Sequence, residues 1–185
     1  MTVIGITGSI ASGKTTVSQL CAKKIYPLFN ADIVVKNLYK NSKFISLLIK
    51  KFKLNSKENI KKQIKMLIKK NKNKLTILET IIHPLVRKEM NRFLKKKNKF
   101  LILEIPLLIE NKLEKHFDKI IFVYAKKKLR LKRYLRQNSD KEIFETLNKK
   151  QISPIIKKKA CDLIINNNYS LAILKKDVKK LIAKI

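Results

Sequence analysis

The segment from Gly8 to Thr15 constrains this sequence more than any other. It reads GSIASGKT and matches G-x-x-x-x-G-K-[ST], the pattern of a loop that holds phosphate groups between a strand and a helix. An apolar run, TVIGIT, precedes the loop, and a helical pattern continues to about Ile25. The chain's three glycines stand at positions 5, 8 and 13, and glycine lets a bound group approach the backbone closely. We therefore expect a nucleoside triphosphate to bind at this loop.

Each part of the loop has a predicted role with the phosphates. Its backbone N–H groups would surround the β-phosphate at the positive end of the following helix. Lys14 would reach the β- and γ-phosphates, and the Thr15 hydroxyl would bind Mg²⁺. The residues predicted to contact the nucleotide in this segment are Gly8, Ala11, Ser12, Gly13, Lys14, Thr15 and Thr16.

Apolar runs along the rest of the chain alternate with helical patterns. The runs that predict strands are TVIGIT, YPLFNAD, KFLILEIP, KIIFVYA and DLIINN, the second of them ending at Asp32. Helical spacing of apolar residues dominates positions 33–97 and recurs in KKLRLKRYLRQ, DKEIFETLNKKQ and LAILKKDVKKLIAKI. Strands separated by helices form a parallel sheet covered on both faces. The sequence therefore predicts an α/β fold.

Positive charge dominates the composition. The formal net charge is +32, and only five of the 45 basic residues are arginine. A nucleic-acid-binding ATPase has this kind of charge. We favour a biased genome as the cause, because the lysines are spread along the chain among Asn and Ile, which share adenine- and thymine-rich codons. No apolar run is long enough to cross a membrane, and two cysteines without metal-ligand spacing indicate reduced thiols and a cytoplasmic location.

Several enzyme classes share the loop, and further residues distinguish them. A GTPase needs a DxxG segment whose glycine amide senses the γ-phosphate, and no glycine follows Gly13. A kinase needs a carboxylate that orients or deprotonates the acceptor hydroxyl. Asp32 lies at the predicted end of a strand, where parallel sheets bind ligands, although a helix N-cap explains this position equally well. Arg130, Arg133 and Arg136, spaced i, i+3 and i+6, predict one helical face that binds phosphate.

Seven segments together resemble the dephospho-CoA kinase family. They are GITGSIASGKTTV, NADIVVKNLY, IIHPLVRKEM, EIPLLIEN, LKRYLRQ, KKQ and CDLIINN, in the order and at about the spacing of that family. The resemblance implies phosphorylation of the 3′-hydroxyl of dephospho-CoA by ATP with Mg²⁺, which gives coenzyme A and ADP in the last step of coenzyme A synthesis. A kinase of another nucleoside or cofactor is the alternative enzyme.

The resemblance also implies an architecture. We expect a three-layer P-loop kinase fold with a five-stranded parallel sheet, in one domain over residues 1–185. Its core would comprise about 1–32, 98–126 and 160–185, a helical substrate-binding region about 33–97, and a helical lid about 127–159. We expect a monomer or weak oligomer whose partner is the small-molecule substrate, without a membrane or a specific nucleic acid.

Positions that match the family's motifs acquire expected roles. Asp32 matches the acidic residue beside the acceptor hydroxyl, which favours a catalytic role over the N-cap. Arg133 matches a lid arginine that approaches the phosphates, whereas Arg136 stands one residue before the usual second lid arginine. The remaining expectations are substrate binding by His83, Pro84 and Glu110, metal binding by Glu104 with Thr15, and nucleotide binding by Arg136 and Asn167.

The loop itself departs from the family's pattern. Ser9 and Ala11 occupy positions where the family usually carries glycine. If Ala11 adopts a positive φ, the strain costs on the order of 1 kcal/mol.

Overall fold

The most apolar segments of the chain form one five-stranded parallel sheet. The computed structural model describes residues 1–138 and 140–185. The strands lie in the order β2-β3-β1-β4-β5, and every neighbouring pair is parallel. Their bounds are β1 Thr2–Gly8, β2 Leu28–Asn30, β3 Phe100–Glu104, β4 Lys119–Tyr124 and β5 Leu163–Asn166. The five strands and the α/β class that the sequence predicts are confirmed.

One face of the sheet is covered by the first and last helices. These are α1 (Lys14–Ala22) and α9 (Leu171–Ile182). Side chains alternate between the two faces of a strand, so Ile4 and Ile6 of β1 lie on the face that these helices cover. The residues of this core cluster are Ile4, Ile6, Val17, Cys21, Ala22, Ile102, Ile121, Val123, Ile165, Leu174, Val178 and Leu181.

The other face of the sheet is covered by the segment that follows β3. A Cβ on Gly5 would approach Leu108 and Phe117 to 2.7 and 2.9 Å, so this position has no room for a side chain. The Thr7 hydroxyl donates to the Pro106 carbonyl at 3.0 Å. Three more helices follow β4: α6 (Lys127–Asn138), α7 (Lys141–Lys150) and α8 (Pro154–Lys159). The sheet is therefore buried on both faces, as in other three-layer α/β folds.

The chain divides into two compact units, residues 1–30 with 94–185, and residues 31–93. The second unit is helical and consists of α2 (Ala31–Leu38), α3 (Ser42–Phe52), α4 (Ile60–Lys70) and α5, which begins at Asn73 and ends at Leu94. Its own core contains Phe44, Leu48, Phe52, Ile64, Leu78 and Ile82. The division into core, substrate-binding region and lid stays a prediction, and position 139 of that lid lies outside the described residues.

The predicted end of the second strand is wrong. β2 ends at Asn30, opposite Glu104, which is the last residue of β3. Pairing stops there, and α2 begins at Ala31, so Asp32 lies in the first turn of a helix. A residue inside the helix is not its N-cap, so that alternative is wrong as well. A carboxylate in this position is favoured by the helix dipole.

The two cysteines are free thiols. Burial raises the pKa of Cys21 to about 12. Burial is also the main reason that the pKa of Cys161 rises to about 11. Both are therefore protonated at neutral pH and are poor nucleophiles. In the described part of the chain, no helix is both long and apolar enough to cross a membrane.

Candidate active site

The loop between β1 and α1 has a conformation that requires glycine at two positions, Gly8 and Gly13. A Cβ on Gly8 would lie 2.6 Å from both the Ser12 hydroxyl and the Val123 carbonyl. Gly13 is the N-cap of α1 and has a φ of 93°, a conformation that favours glycine. A Cβ on Gly13 would also collide with the Asn167 amide. Both glycines of the loop pattern are therefore required by space or by backbone conformation.

Ala11 adopts the left-handed conformation, with a φ of 57°. An alanine in this region is strained by its Cβ, by roughly 1–2 kcal/mol. The strain expected from the sequence is thus present in the structure. Strained residues persist only where their surroundings hold them, so the contacts of the neighbouring peptide groups matter.

Two side chains hold Ile10, the residue before Ala11. The Ile10 N–H donates to Gln151 Oε1 at 2.8 Å. Arg130 Nη1 donates to the Ile10 carbonyl at 3.3 Å. Both partners come from the segment after β4, more than 100 residues away along the chain. Tertiary contacts therefore hold the peptide groups on either side of Ile10.

Two further side chains hold the Ser12 carbonyl. Asn167 Nδ2 donates to it at 2.8 Å, and Arg133 Nη1 does so at 3.4 Å. Arg133 Nη2 also donates to the Asn167 carbonyl at 2.9 Å. Asn167, which the sequence predicts to contact the nucleotide, is thus buried and holds the loop in place. Its amide nitrogen already donates to the Ser12 carbonyl.

The lysine of the loop pattern bends back over the loop. Lys14 is buried, and its Nζ donates to the Ser9 carbonyl at 3.1 Å. The Ser12 N–H donates to the same carbonyl at 3.1 Å. A buried ammonium group beside the helix N-terminus makes this concavity strongly attractive to an anion.

Glu104 is a buried acceptor for three donors. Its oxygens accept hydrogen bonds from Thr15 Oγ1 at 2.7 Å, Ser18 Oγ at 2.8 Å and Asn30 Nδ2 at 2.5 Å. Because Thr15 donates its proton to Glu104, its oxygen lone pairs are directed elsewhere and suit a hard cation such as Mg²⁺. Glu104 and Thr15, predicted as the metal pair, are thus brought together. Within residues 1–138 and 140–185, no three His, Cys, Asp or Glu side chains form a metal cluster.

The three arginines of α6 do not share one face, so that prediction is wrong. Arg130 is buried, Arg133 is half-buried and Arg136 is exposed. Six residues advance a helix by 600°, which leaves Arg136 about 120° away from Arg130. Burial lowers the pKa of Arg130, with opposing effects from Tyr124 and Glu145. Arg136 instead borders a shallow surface groove with Lys128 and Lys132.

A buried ion pair joins Glu110 to Lys157. Glu110 Oε1 accepts from Lys157 Nζ at 2.7 Å and from the Ile152 N–H at 3.1 Å. Lys157, whose side chain is 0% exposed, also donates to the Pro106 carbonyl at 3.3 Å. Glu110 Oε2 is buried with no hydrogen-bond partner in the described part of the chain. Nothing in the sequence distinguishes Lys157 from the other lysines, so residue patterns do not predict this pair.

The remaining predicted residues are Thr16 in α1 and Asp32, His83 and Pro84 in the helical unit. Thr16 borders a groove of about 760 Å³ lined also by Leu20, Tyr26 and Leu171. In the helical unit, Asp32 is exposed in the first turn of α2. His83 is half-buried within α5 and Pro84, in the same helix, is exposed. Gln151 and Asn30 also bind site residues. Both stand in segments that resemble the family, KKQ and NADIVVKNLY, but the sequence predicted no role for either.

Comparisons with known sequences all indicate one family for this chain. A family model described as "Dephospho-CoA kinase" matches residues 2–172. The dephospho-CoA kinase of Bartonella henselae is 37% identical over 179 residues, covering 92% of this chain and 91% of that protein. The enzyme of Fusobacterium nucleatum is 36% identical over 186 residues, covering 96% and 95%.

Solved structures with a similar fold cover nearly the whole chain. The dephospho-CoA kinase from Campylobacter jejuni is similar with a TM-score of 0.68 and 29% identity, covering 98% of this chain and 96% of that one. TT1252 from Thermus thermophilus has a TM-score of 0.79 and 26% identity, covering 100% and 97%. A shikimate kinase from Acinetobacter baumannii, with a TM-score of 0.58 and 15% identity over 100% of this chain and 94% of its own, shares the fold.

Replacing Ala11 by glycine should stabilise the protein. Ala11→Gly removes the Cβ that strains the left-handed conformation, so we expect the free energy of unfolding in urea to rise by about 0.5–1 kcal/mol. Ala22→Gly is the matched control, because Ala22 lies in α1, where glycine should destabilise by about 1 kcal/mol. A loss of stability in Ala11→Gly as large as in the control would contradict the strain.

Removing one partner of the buried ion pair should destabilise the protein strongly. Lys157→Met leaves the Glu110 charge buried and unpaired, so we expect a loss of about 3–5 kcal/mol in urea unfolding. Lys157→Met combined with Glu110→Gln removes both charges and keeps an acceptor for Ile152, and should recover most of that loss. The exposed Lys159→Met is the control. Equal stability of Lys157→Met and Lys159→Met would show that the pair contributes nothing.

Proposed function

This chain belongs to the dephospho-CoA kinase family, and we propose that it transfers the γ-phosphoryl group of ATP to the 3′-hydroxyl of dephospho-CoA. The product is coenzyme A, and the reaction is the last step of coenzyme A synthesis. The observation that carries the proposal is the match of the family model over residues 2–172. The braced loop between β1 and α1 agrees with it, because that loop has the sequence and the setting of a nucleotide site.

The loop supplies the binding of the phosphates. Its N–H groups and the N-terminus of α1 favour the β-phosphate. Lys14, already buried in this concavity, neutralises charge on the β- and γ-phosphates. We propose the same role for Arg133, which supplies a guanidinium beside the Ser12 carbonyl. Fixed positive groups of this kind stabilise the charge of a transferring phosphoryl group without reorganising.

Thr15 and Glu104 are the proposed metal residues. The Thr15 oxygen would hold Mg²⁺, and Glu104 accepts the hydroxyl proton at 2.7 Å. Glu104 would act on the ion through water, because its oxygens already accept three hydrogen bonds. When bound, Mg²⁺ would neutralise charge on the phosphates of ATP.

Asp32 is the proposed group that orients or deprotonates the acceptor hydroxyl. It follows the end of β2 by two residues in the chain, and its carboxylate is exposed. We propose His83, Pro84 and Glu110 as substrate contacts and Asn167, Thr16 and Arg136 as nucleotide contacts on the strength of the family's motifs. Glu110 would contribute its Oε2, because Oε1 is held by Lys157 and Ile152. The cytoplasmic location, the monomeric state and the lack of a nucleic-acid partner stay predictions.

A coupled assay of ADP release tests the proposed function. We expect turnover only when ATP, Mg²⁺ and dephospho-CoA are all present, because the acceptor hydroxyl is needed for transfer. Lys14→Ala should lose most of this activity, since it removes the buried ammonium group from the phosphate loop. ADP release that is independent of dephospho-CoA but stimulated by nucleic acid, and weakened steeply by salt, would instead identify a nucleic-acid-dependent ATPase.

Asp32→Asn tests the role of the carboxylate. Losing a general base typically slows catalysis by 10²–10⁴-fold, so we expect kcat to fall at least about 100-fold. The dissociation constant of ATP, measured by titration calorimetry, should change little, because the phosphate loop is untouched. Glu58→Gln, an exposed change in the same helical unit, should keep the activity. Full activity of Asp32→Asn would refute its catalytic role.

A further inference from the structure

Gln151 reaches the phosphate loop from the segment after α7. Its side-chain oxygen accepts the Ile10 N–H at 2.8 Å. Gln151 is the C-cap of α7, and its own N–H donates to the Asn148 carbonyl at 3.3 Å. It carries no charge and is half-buried. In the proposed reaction, Gln151 has no role at the transferred phosphoryl group or the acceptor hydroxyl.

The contacts of Gln151 and Arg130 fix two successive peptide groups. The Ile10 N–H belongs to the peptide between Ser9 and Ile10, which Gln151 holds. The Ile10 carbonyl belongs to the next peptide, which Arg130 holds at 3.3 Å. With both planes held, the backbone angles of Ile10 are set.

Fixing Ile10 determines the direction of the next amide. The peptide is trans, because the described chain contains no cis peptide bonds, so the Ala11 N–H points away from the carbonyl that Arg130 holds. The same relation holds at Ser12, where Asn167 and Arg133 bind the carbonyl and turn the Gly13 N–H to the opposite side. The loop amides are therefore oriented by partners on the outer side of the loop.

The segment that carries Gln151 is itself anchored. The N–H of the next residue, Ile152, donates to Glu110 Oε1 at 3.1 Å. Lys157 binds the same oxygen at 2.7 Å. Asn148 Oδ1 accepts from Arg130 Nη1 at 2.8 Å, so the two groups that hold Ile10 are joined to each other. These contacts anchor the segment from which the Gln151 side chain reaches the strained loop.

We propose that Gln151 is a positioning residue for nucleotide phosphates, acting through the Ile10 N–H on the orientation of the loop amides. The proposal rests on the proposed function only in taking a nucleotide as the ligand. An external acceptor is needed here because Ala11, unlike glycine, does not adopt its φ of 57° at low cost. The role predicts an effect on phosphates and none on the nucleoside.

The test is binding of ADP and of adenosine to the ¹⁵N-labelled full chain, followed by NMR. Gln151→Met keeps the length of the side chain and removes the acceptor. Losing one neutral hydrogen bond weakens binding about fivefold, so we expect ADP to bind about fivefold more weakly. Adenosine, which has no phosphate, should bind as before. Hydrogen exchange of the Ile10 amide should accelerate.

The matched control is Lys149→Met, an exposed change two residues away that should leave both affinities unchanged. Equal weakening of ADP and adenosine, or no weakening of ADP, would overturn the proposal. Loss of the folded amide spectrum would also overturn it, because Gln151 would then support the fold. Since no acceptor substrate is used, the result stands apart from whether dephospho-CoA is phosphorylated.

Discussion

The phosphate loop keeps its shape because side chains from distant segments bind its peptide groups. Gln151 and Arg130 hold Ile10, while Asn167 and Arg133 hold the Ser12 carbonyl. The left-handed position in this loop carries an alanine and not a glycine, so Ala11 is strained by its Cβ. These hydrogen bonds provide the restraint that a strained residue needs. The shape of the loop thus depends on the packing of α6, α7 and the end of β5 around it.

The few acidic residues of this basic chain carry much of its buried hydrogen bonding. Only 13 residues are Asp or Glu against 45 that are Lys or Arg. Glu104, at the end of β3, accepts hydrogen bonds from two residues of α1 and from the last residue of β2. Glu110 forms an ion pair with Lys157. Asp118 and Asp162 accept the N–H groups of Val3 and Ile120, each at 2.7 Å. These four acids therefore lie where a buried donor would otherwise lack a partner, whereas the lysines are mostly exposed.

Family membership and local geometry support the function in different ways. The comparisons identify the family and with it the reaction. The geometry brings together a loop with a buried lysine and a threonine–glutamate pair, and we propose that these groups bind the triphosphate and its metal. Among the residues proposed to act on the acceptor, Asp32, His83 and Pro84 lie in the helical unit and Glu110 in the other unit, and these assignments come from motif positions. Gln151 adds a residue whose effect on the phosphates passes through the backbone of the loop.

The sequence determined the fold class, the phosphate loop and the order of the five strands along the chain, because these depend on local spacing and on periodic apolar residues. It paired Thr15 with Glu104, which the structure joins by a hydrogen bond, since the ends of parallel strands meet at one edge; their role with a metal stays a prediction. Local pattern misjudged Asp32, which lies in the first turn of a helix and not at the end of a strand, and Arg136, which lies about 120° around α6 from Arg130. Only the tertiary structure decided that Gln151, Asn167 and Lys157 are structural partners of the site. Their side chains act across more than 40 residues of sequence, and hydrogen bonds over such separations leave no periodic signal along the chain.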